Sequence, residues 1–386
     1  MTSASVDVLV AGGGPAGLAT AIRCAQAGLS VTVVDPRALP VDKACGEGLM
    51  PSAVQRLAAL GVAPEGHPIR GIRYLDATHR ADAPFRRGEG LGVRRTELHA
   101  ALAARAAGLG VELARGQVGE VSQDDAGVSA LTRLRASPGA GPARLERAVR
   151  ARYLVAADGL HSSLRRHLGL DAGRPAGITA AHRAAPAREP GRPLLRDSRF
   201  GLRRHYRVMP WTDLVEVYWA AGSEAYVTPV AADTIGVAVL GGIADGGPAD
   251  GGYDARLAAF PALLDRLRGA CPVTRVLGAG PMRQDARGRV AGRVLLVGDA
   301  AGYVDALTGE GIGAALAQAE VLVNCLTADR PGDYERAWRR VTRKGSALTS
   351  GLLWSRHQSL LGPRIAPAAQ RFPWLFTLIV NQAAWA

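Results

Sequence analysis

The sequence contains few lysines, cysteines and aromatic residues, and each shortage excludes a class of protein. Only Lys43 and Lys344 are lysines among the 47 basic residues, and the arginines are spread along the chain instead of forming a block. Aromatic residues make up 5% of the chain. A nucleic-acid-binding surface needs clustered cations with aromatic side chains between them. We therefore interpret the net charge of +13 as a general arginine bias and expect no nucleic-acid partner.

The four cysteines are too far apart in the chain to form a recognisable site. Cys24, Cys45, Cys271 and Cys325 match neither a metal-ligand spacing nor the disulfide framework of a small secreted domain. We expect reduced thiols, no bound metal and a cytoplasmic location.

Long apolar runs are missing as well. No stretch reaches the roughly 20 residues that a spanning helix needs, and the first residues lack the basic segment of a secretion signal. We expect no transmembrane segment. The most apolar stretch, residues 372–380 (FPWLFTLIV), is too short to span a bilayer. Two alternatives stay open for it: a helix packed on the protein body or a peripheral membrane contact.

The first part of the 386-residue chain predicts a βαβ unit. An apolar strand at 7–11 leads through a glycine turn at 12–17 into an alanine-rich helix at 18–27. A β-branched strand follows at 29–34 and ends at Asp35. Parallel strands joined by a helix imply a doubly wound sheet.

The glycine turn has the spacing that binds the pyrophosphate of a dinucleotide. Gly12 permits the tight turn, Gly14 lets the backbone approach the pyrophosphate, and Gly17 allows close packing of helix and strand. Asp35 is placed to hydrogen-bond an adenosine ribose. This unit alone does not separate NAD from FAD. The expected contacts are Gly12, Gly14, Pro15, Ala16, Gly17, Asp35, Pro36 and Arg37.

Three later segments narrow the choice of cofactor. Residues 93–102 (VRRTELHAAL), 153–165 (YLVAADGLHSSLR) and 293–302 (RVLLVGDAAG) resemble motifs of flavoprotein monooxygenases of the para-hydroxybenzoate hydroxylase fold. The resemblance implies FAD as cofactor, with NADH or NADPH as co-substrate, and it places Arg95 beside the flavin and Asp299 at the ribityl chain. The remaining expected cofactor contacts are Cys45, Gly46, Asp158, Gly298, Gly309, Gly311, Ile312 and Gly313.

Two further segments point to a branch of that superfamily. Residues 43–51 (KACGEGLMP) and 305–311 (DALTGEG) resemble geranylgeranyl reductases and the oxidoreductases found beside type III polyketide synthases. The Trp-x-Trp-x-Ile-Pro signature of tryptophan halogenases is missing, so halogenation is not expected. The candidate catalytic residues are Cys45, Glu47 and Tyr303. Cys45 is either a proton donor near the flavin or a small loop-filling residue, and Glu47 is either an acid of the flavin loop or a solvated charge.

Strand-like runs in the middle of the chain predict a second sheet. The runs at 214–220, 225–229 and 234–240 have the pattern of antiparallel strands, and a helix is expected at 253–269. An alternating segment at 123–150 predicts a hairpin with its tip at 137–142. A group of polar aromatic side chains on the second sheet could line a substrate pocket, with packing in the sheet core as the alternative. The group is His205, Tyr206, Trp211, Tyr218 and Trp219.

These observations together predict an α/β fold with a discontinuous Rossmann-type FAD-binding domain resembling glutathione reductase, a mainly antiparallel substrate domain and C-terminal helices. The expected ranges are 1–75, 92–170 and 275–327 for the FAD-binding domain, 76–91 and 171–274 for the substrate domain, and 328–386 for the helices.

The resemblance implies a monooxygenase. NAD(P)H would reduce FAD, dioxygen would form a C4a-hydroperoxide, and an oxygen atom would pass to an aromatic or polyketide-type hydrophobic molecule by hydroxylation or epoxidation. The alternative is an FAD-dependent reductase of an isoprenoid or other alkene, which uses the same cofactor without inserting oxygen.

Overall fold

The computed structural model describes residues 4–135, 144–172, 199–242, 252–358 and 362–385. Its strands are β1 (Ala4–Ala11), β2 (Val31–Asp35), β3 (Gly48–Leu49), β4 (His67–Ile69), β5 (Gly71–Leu75), β6 (Arg80–Pro84), β7 (Gly90–Gly92), β8 (Glu112–Asp124), β9 (Gly127–Arg135), β10 (Arg144–Ala156), β11 (Arg199–Arg207), β12 (Leu214–Ala220), β13 (Ser223–Ala231), β14 (Thr234–Gly242), β15 (Cys271–Pro272), β16 (Leu277–Ala279), β17 (Val290–Ala291) and β18 (Val294–Leu296). Its helices are α1 (Pro15–Gln26), α2 (Pro51–Ala59), α3 (Arg95–Gly108), α4 (Ser163–His167), α5 (Gly252–Leu257), α6 (Pro261–Arg266), α7 (Gly311–Thr327), α8 (Tyr334–His357), α9 (Ile365–Arg371) and α10 (Pro373–Ala383).

The first sheet has a parallel core in the order β8, β2, β1, β10 and β18. Side chains from both faces of β1 and β10 are buried in two separate hydrophobic clusters, which is why these strands read as continuous apolar runs. Helices α1, α3 and α7 pack together on one face. On the other side, β9 pairs antiparallel with the long strands β8 and β10. The expected Rossmann-type α/β architecture is confirmed.

The connection from β1 to α1 follows the glycine spacing. Gly12 has a φ of +112°, which a side chain would strain. A Cβ at position 17 would lie 1.9 Å from the Gly12 carbonyl oxygen, so only glycine lets the helix approach the strand this closely. Pro15 begins α1, a position where its missing N–H costs no hydrogen bond.

The second sheet runs in the order β15, β11, β14, β13, β12, β5 and β6, with β16 also paired to β11. Its pairings are antiparallel except for the parallel pair β5 and β12. This arrangement corrects two expected domain boundaries. Gly71–Leu75 and Leu277–Ala279 both belong to the second sheet, whereas the expected boundaries at 75 and 275 placed them in the FAD-binding domain.

The helix expected at 253–269 is two short helices. Phe260 precedes Pro261, and the residue before a proline is disfavoured in helical geometry, so α5 ends before α6 begins. Both helices pack on one face of the second sheet. The expected hairpin tip at 137–142 lies outside the described residues, as do residues 173–198 and 243–251 of the expected substrate domain.

The C-terminal segment packs against both parts of the fold. Helix α8 lies against α7, and helices α9 and α10 lie against β6. Phe376 and Val380 are buried in a cluster with Ala81 and Ala83 of β6, while the opposite face of α10 exposes Trp374 to 63%. Within the described part of the chain, every helix is too short or too polar to cross a membrane.

Candidate active site

One large cavity lies where the carboxyl ends of the parallel strands meet the second sheet. Its volume is about 850 Å³, and we call it the main cavity. Ligands of open α/β folds bind at this edge of the sheet. Every cofactor contact expected from the sequence lines this cavity except Gly17 and Gly313. The structure therefore brings four distant segments of the chain together at one site.

The start of α1 forms one end of the main cavity. A Cβ at Gly14 would meet no protein atom closer than Arg95 Nη2 at 3.9 Å, so this side of the backbone is open to a ligand. The first amides of a helix have no partner within the helix and carry partial positive charge. This end is therefore suited to an anion such as a pyrophosphate.

Asp35 supplies an ionised acceptor beside that helix start. Its carboxylate accepts hydrogen bonds from the Gly13 amide at 2.7 Å and from the Arg37 guanidinium at 2.9 and 2.7 Å. Burial works to raise the pKa of Asp35, but the bonds from Arg37 and Gly13 outweigh it and hold the pKa below its usual range. A carboxylate in this position suits the hydroxyls of a ribose.

Asp299 lies at the other end of the main cavity from the start of α1, in the 3-10 turn that follows β18. Its carboxylate pairs with Lys43 Nζ at 3.3 Å and makes no capping bond to the turn. Gly309, Gly311 and Ile312 line the cavity nearby, where α7 begins. The free amides of that helix start favour negative charge on a bound ring.

Three residues of the cavity wall each have a buried polar atom without a hydrogen-bond partner among the described residues; one of these atoms is Arg203 Nε, on the second sheet. The other two are Arg95 Nε and Asp158 Oδ1. The second oxygen of Asp158 caps α4 through the amides of Ser163 and Leu164. Burial lowers the pKa of Arg95 from its usual range. Because unsatisfied buried polar atoms are rare in folded proteins, this wall is built for a polar ligand. The phosphates, ribityl hydroxyls and ring of FAD match these groups.

Cys45 lies in the loop before β3 and lines the main cavity. Its Sγ accepts a hydrogen bond from the Glu47 amide at 3.4 Å. Burial raises the pKa of the thiol, although the nearby Arg95 charge works in the opposite direction. The group is therefore a neutral thiol at physiological pH.

Glu47 is a buried anchor and not a solvated charge. It has a φ of +60°, and its carboxylate accepts the Arg95 amide at 2.8 Å and lies 2.6 Å from His205 Nε2. A Cβ at Gly236 would come within 2.9 Å of the same carboxylate, so a larger residue at this position of β14 would displace the Glu47 side chain. Glu47 thus ties the Cys45 loop to the second sheet.

Tyr303 also lines the main cavity, close to the start of α7. Burial raises its pKa well above the usual range, so the phenol stays neutral. Its ring lies 3.3 Å from where a Cβ of Gly311 would stand. Tyr303 is therefore an uncharged side chain that packs against the loop before α7.

None of the five side chains expected to form the substrate pocket lines the main cavity, and this is a correction to the sequence interpretation. His205 pairs with Glu47, and Trp219 packs beside Tyr74. The others lie on the face of the second sheet that α5 and α6 cover, because alternate residues of a strand face opposite sides. These are Tyr206, Trp211 and Tyr218.

The apolar wall of the main cavity comes instead from other residues of the second sheet, from the neighbouring Ile69 and Phe85, and from the C-terminal helices. Its members are Ile69, Ile72, Tyr74, Phe85, Phe200, Leu202, Val215, Val217, Tyr226, Ala238, Leu240, Leu348, Leu352, Ile379, Val380 and Ala383. Alternation along 214–220 could have identified Val215 and Val217. No sequence signal connects the helices after residue 328 with the site.

The family follows from comparison of this sequence with protein-family profiles. The profile described as "FAD binding domain" matches residues 5–212, which is more than half of the chain. This chain belongs to that FAD-binding family. The FAD-binding protein is thus an oxidoreductase, and the cavity described above is its candidate flavin site.

Two relatives of this FAD-binding protein match over most of the chain. Menaquinone reductase of Mycolicibacterium smegmatis is 29% identical over 97% of this chain and 90% of its own length. Digeranylgeranylglycerophospholipid reductase 1 of Methanothermobacter thermautotrophicus is 27% identical over 86% of this chain and 82% of its own. Among solved structures, a flavin-dependent brominase superposes with a TM-score of 0.78 over 98% of this chain and 94% of that chain. At 18% identity that likeness shows the fold alone.

Proposed function

We propose that this protein is an FAD-dependent reductase that adds hydrogen across a carbon–carbon double bond of a long apolar, isoprenoid-type molecule. The observation that carries the proposal is the Cys45 thiol, which lines the main cavity and is kept protonated by burial. Reduction of an alkene needs an acid that protonates carbon. Oxygen insertion needs no such acid.

The surroundings of Cys45 support this role. When the thiol gives its proton to carbon, a thiolate remains, and the neighbouring Arg95 charge favours that thiolate. Glu47 holds the loop in place through the Arg95 amide and His205. FAD, when bound, supplies the two electrons of the reduction. The apolar wall excludes water and holds the substrate chain.

The shape of the cavity and the relatives support the substrate class. The wall around the reacting end is aliphatic and aromatic, which suits a hydrocarbon chain and offers few polar contacts. The two relatives described above, which match over most of the chain, are named reductases. We propose NADH or NADPH as the reductant, bound transiently, since no second dinucleotide fingerprint occurs in the sequence.

The test compares Cys45→Ser with Cys271→Ser, an exposed cysteine outside the cavity. A hydroxyl is a much weaker acid than a thiol, so we expect Cys45→Ser to lower product formation by about 10² to 10³-fold. FAD content and the rate of flavin reduction by NAD(P)H should stay unchanged, and Cys271→Ser should behave as wild type. Candidate polyprenyl alkenes are assayed without oxygen, and mass spectrometry should show a product that gains two hydrogens.

The same assay also tests the hydroxylase alternative. Turnover that requires dioxygen, with labelled oxygen in the product and full activity of Cys45→Ser, would overturn the reductase. It would establish hydroxylation of an aromatic or polyketide-type molecule, the second candidate. That candidate is favoured by residues 153–165 and 293–302, which resemble hydroxylase motifs and contribute to the main cavity.

We also propose that α10 contacts the surface of an anionic membrane, on the cytoplasmic side expected from unpaired cysteines. Its inner face, with Ile379 and Val380, lines the main cavity, while its outer face exposes Trp374 and Leu378. Just before α10, the Arg371 guanidinium lies over the ring of the exposed Phe372 and adds to the net positive charge of the chain. Aromatic and aliphatic side chains next to cations are the combination that binds lipid interfaces. An apolar substrate could then pass from the bilayer to the cavity.

A further inference from the structure

A second cavity lies beside the main cavity, between the start of α7 and helix α8. Its volume is about 140 Å³, which is room for several water molecules at about 30 Å³ each. The exposed Asp285 is part of its wall, which places it next to solvent. The two cavities share wall residues, among them Gly298, Asp299, Tyr303 and Thr308. The second cavity therefore lies between the surface and the flavin end of the site.

Glu310 is the carboxylic acid at the head of α7, and it lines the second cavity only. Its Oε1 is buried and has no hydrogen-bond partner among the described residues. Its Oε2 accepts from the Thr308 hydroxyl at 3.3 Å, and that hydroxyl lies 2.9 Å from the Thr349 hydroxyl of α8. Thr308 lines both cavities, so this hydroxyl chain joins Glu310 to the main cavity.

Burial raises the pKa of Glu310 to about 7, and the Thr308 bond lowers it slightly. The charged side chains in the wall of the second cavity are Asp285, Arg289, Asp299 and Asp305. The side chains that α8 contributes to the wall are uncharged: Trp338, Val341, Thr342, Ser346 and Thr349. At neutral pH the carboxyl is present in both protonation states and can take up and release a proton.

The reaction takes up one proton from solvent per turnover, whichever of the two proposed functions holds. Reduction of a double bond consumes two electrons and two protons, of which NAD(P)H supplies both electrons and one proton. Hydroxylation converts NAD(P)H, a proton, dioxygen and substrate into NAD(P)⁺, water and the hydroxylated product. One proton per turnover comes from water in both cases. We propose that Glu310 carries this proton from solvent through the second cavity to the cofactor end of the main cavity, by way of the Thr308 hydroxyl.

The first experiment detects the proton on Glu310 directly in the FAD-loaded protein. Infrared difference spectra are recorded over about pH 5 to pH 9 for wild type, Glu310→Gln and Glu320→Gln. Glu320 is the matched control because it lies on the same helix, half exposed and paired with Arg56. We expect a carboxylic C=O band that titrates near neutral pH in wild type and Glu320→Gln and is absent in Glu310→Gln. A wild type without that band, or a Glu310→Gln that keeps it, overturns the proposal.

The second experiment measures proton uptake with a pH indicator when NAD(P)H-reduced enzyme is mixed with dioxygen. Dioxygen takes two electrons and two protons to become hydrogen peroxide, so no substrate is needed and the result is independent of the proposed function. Uptake should slow by about 10²-fold in Glu310→Gln, with Glu320→Gln unchanged. If Glu310→Gln does not fold, Thr308→Val breaks the hydroxyl chain, and we expect slow uptake with the infrared band retained. Wild-type uptake in either Glu310→Gln or Thr308→Val overturns the proposal.

Discussion

Asp299 shows how one carboxylate can be tested for its role in holding the cofactor. The only described partner of its carboxylate is Lys43 at 3.3 Å, and Asp299 lines the main cavity. We expect Asp299→Ala to weaken FAD retention by about tenfold or more, since a hydrogen bond to a charged group contributes about 1.5 to 3 kcal/mol. The matched control is Asp125→Ala in the exposed turn between β8 and β9. Equal flavin occupancy after dialysis of the two variants would remove Asp299 from the binding site.

Glu310 should also impose a pH dependence on stability. Its folded pKa of about 7 exceeds the usual 4.5, so the folded state holds its proton more tightly than the unfolded chain. Stability is therefore complete below about pH 4.5 and falls as the pH rises through about 7, by up to about 3 kcal/mol. Glu310→Gln removes this loss. In urea unfolding, the free energy of unfolding of the variant relative to wild type should therefore be higher at alkaline pH than at acidic pH. A pH-independent difference would contradict it.

The residues that sequence reasoning could place at the cavity are those whose chemistry depends on local spacing. Gly12, Gly14 and Asp35 follow from one βαβ unit, because the turn, the helix start and the strand end are consecutive in the chain. The burial of Glu47 could not be predicted. It depends on His205, which is 158 positions away in the chain and belongs to another sheet.

At the scale of single elements, the residue pattern of a strand predicts that the strand exists but not which of its faces lines the cavity. The strands of the second sheet were visible as apolar runs, but which face would line the cavity was not. Along β12, Val215 and Val217 face the main cavity, whereas Glu216 and Tyr218 face the opposite side. Tyr206, Trp211 and Tyr218 were interpreted as pocket residues, although helices α5 and α6 cover them. Face assignment needs the packing partners, which are distant in sequence.

Helix α10 gives a test of the proposed membrane contact. The double variant Trp374→Ser, Leu378→Ser removes exposed apolar side chains, so it should leave folding intact. We expect its binding to vesicles of anionic phospholipid to fall by about tenfold or more, because each side chain contributes about 1.5 to 3 kcal/mol when buried. Met209→Ser is the control, an exposed apolar side chain on another element. Equal sedimentation of the double variant and wild type with vesicles would exclude this contact.

At the scale of the whole molecule, a buried group of ion pairs joins three parts of the fold. Arg199 of β11 forms ion pairs with Glu224 of β13 and with Asp305 of the loop before α7, each at 2.9 Å. Arg356 of α8 pairs with Glu224 as well. Removing one partner of a buried pair leaves an uncompensated charge. We expect Glu224→Gln to lower the free energy of unfolding by about 3 to 5 kcal/mol.

The control for Glu224→Gln is Asp265→Asn, which removes an exposed pair with Arg268. That change should alter the free energy of unfolding by no more than about 0.5 kcal/mol. Similar unfolding midpoints for the two variants would mean that the buried group does not hold the three parts together.

The overall architecture was predictable because the cofactor motifs follow directly after the apolar strands of the parallel sheet in the sequence. Which strands belong to which of the two sheets could not be predicted from the sequence. Strands β5 and β12 are parallel neighbours, yet Arg73 and its partner Glu216 are 143 positions apart. The pattern around 71–75 is that of any half-buried strand, so its sheet could not be assigned without the pairing.

The wall of the main cavity is assembled from both ends of the chain. Gly12 stands near the start, Ile312 opens α7, and Ala383 lies close to the last residue. During translation the wall of the main cavity therefore stays incomplete until α10 has left the ribosome. We expect cofactor loading to follow the emergence of α10, so nascent chains stalled before α10 should be colourless.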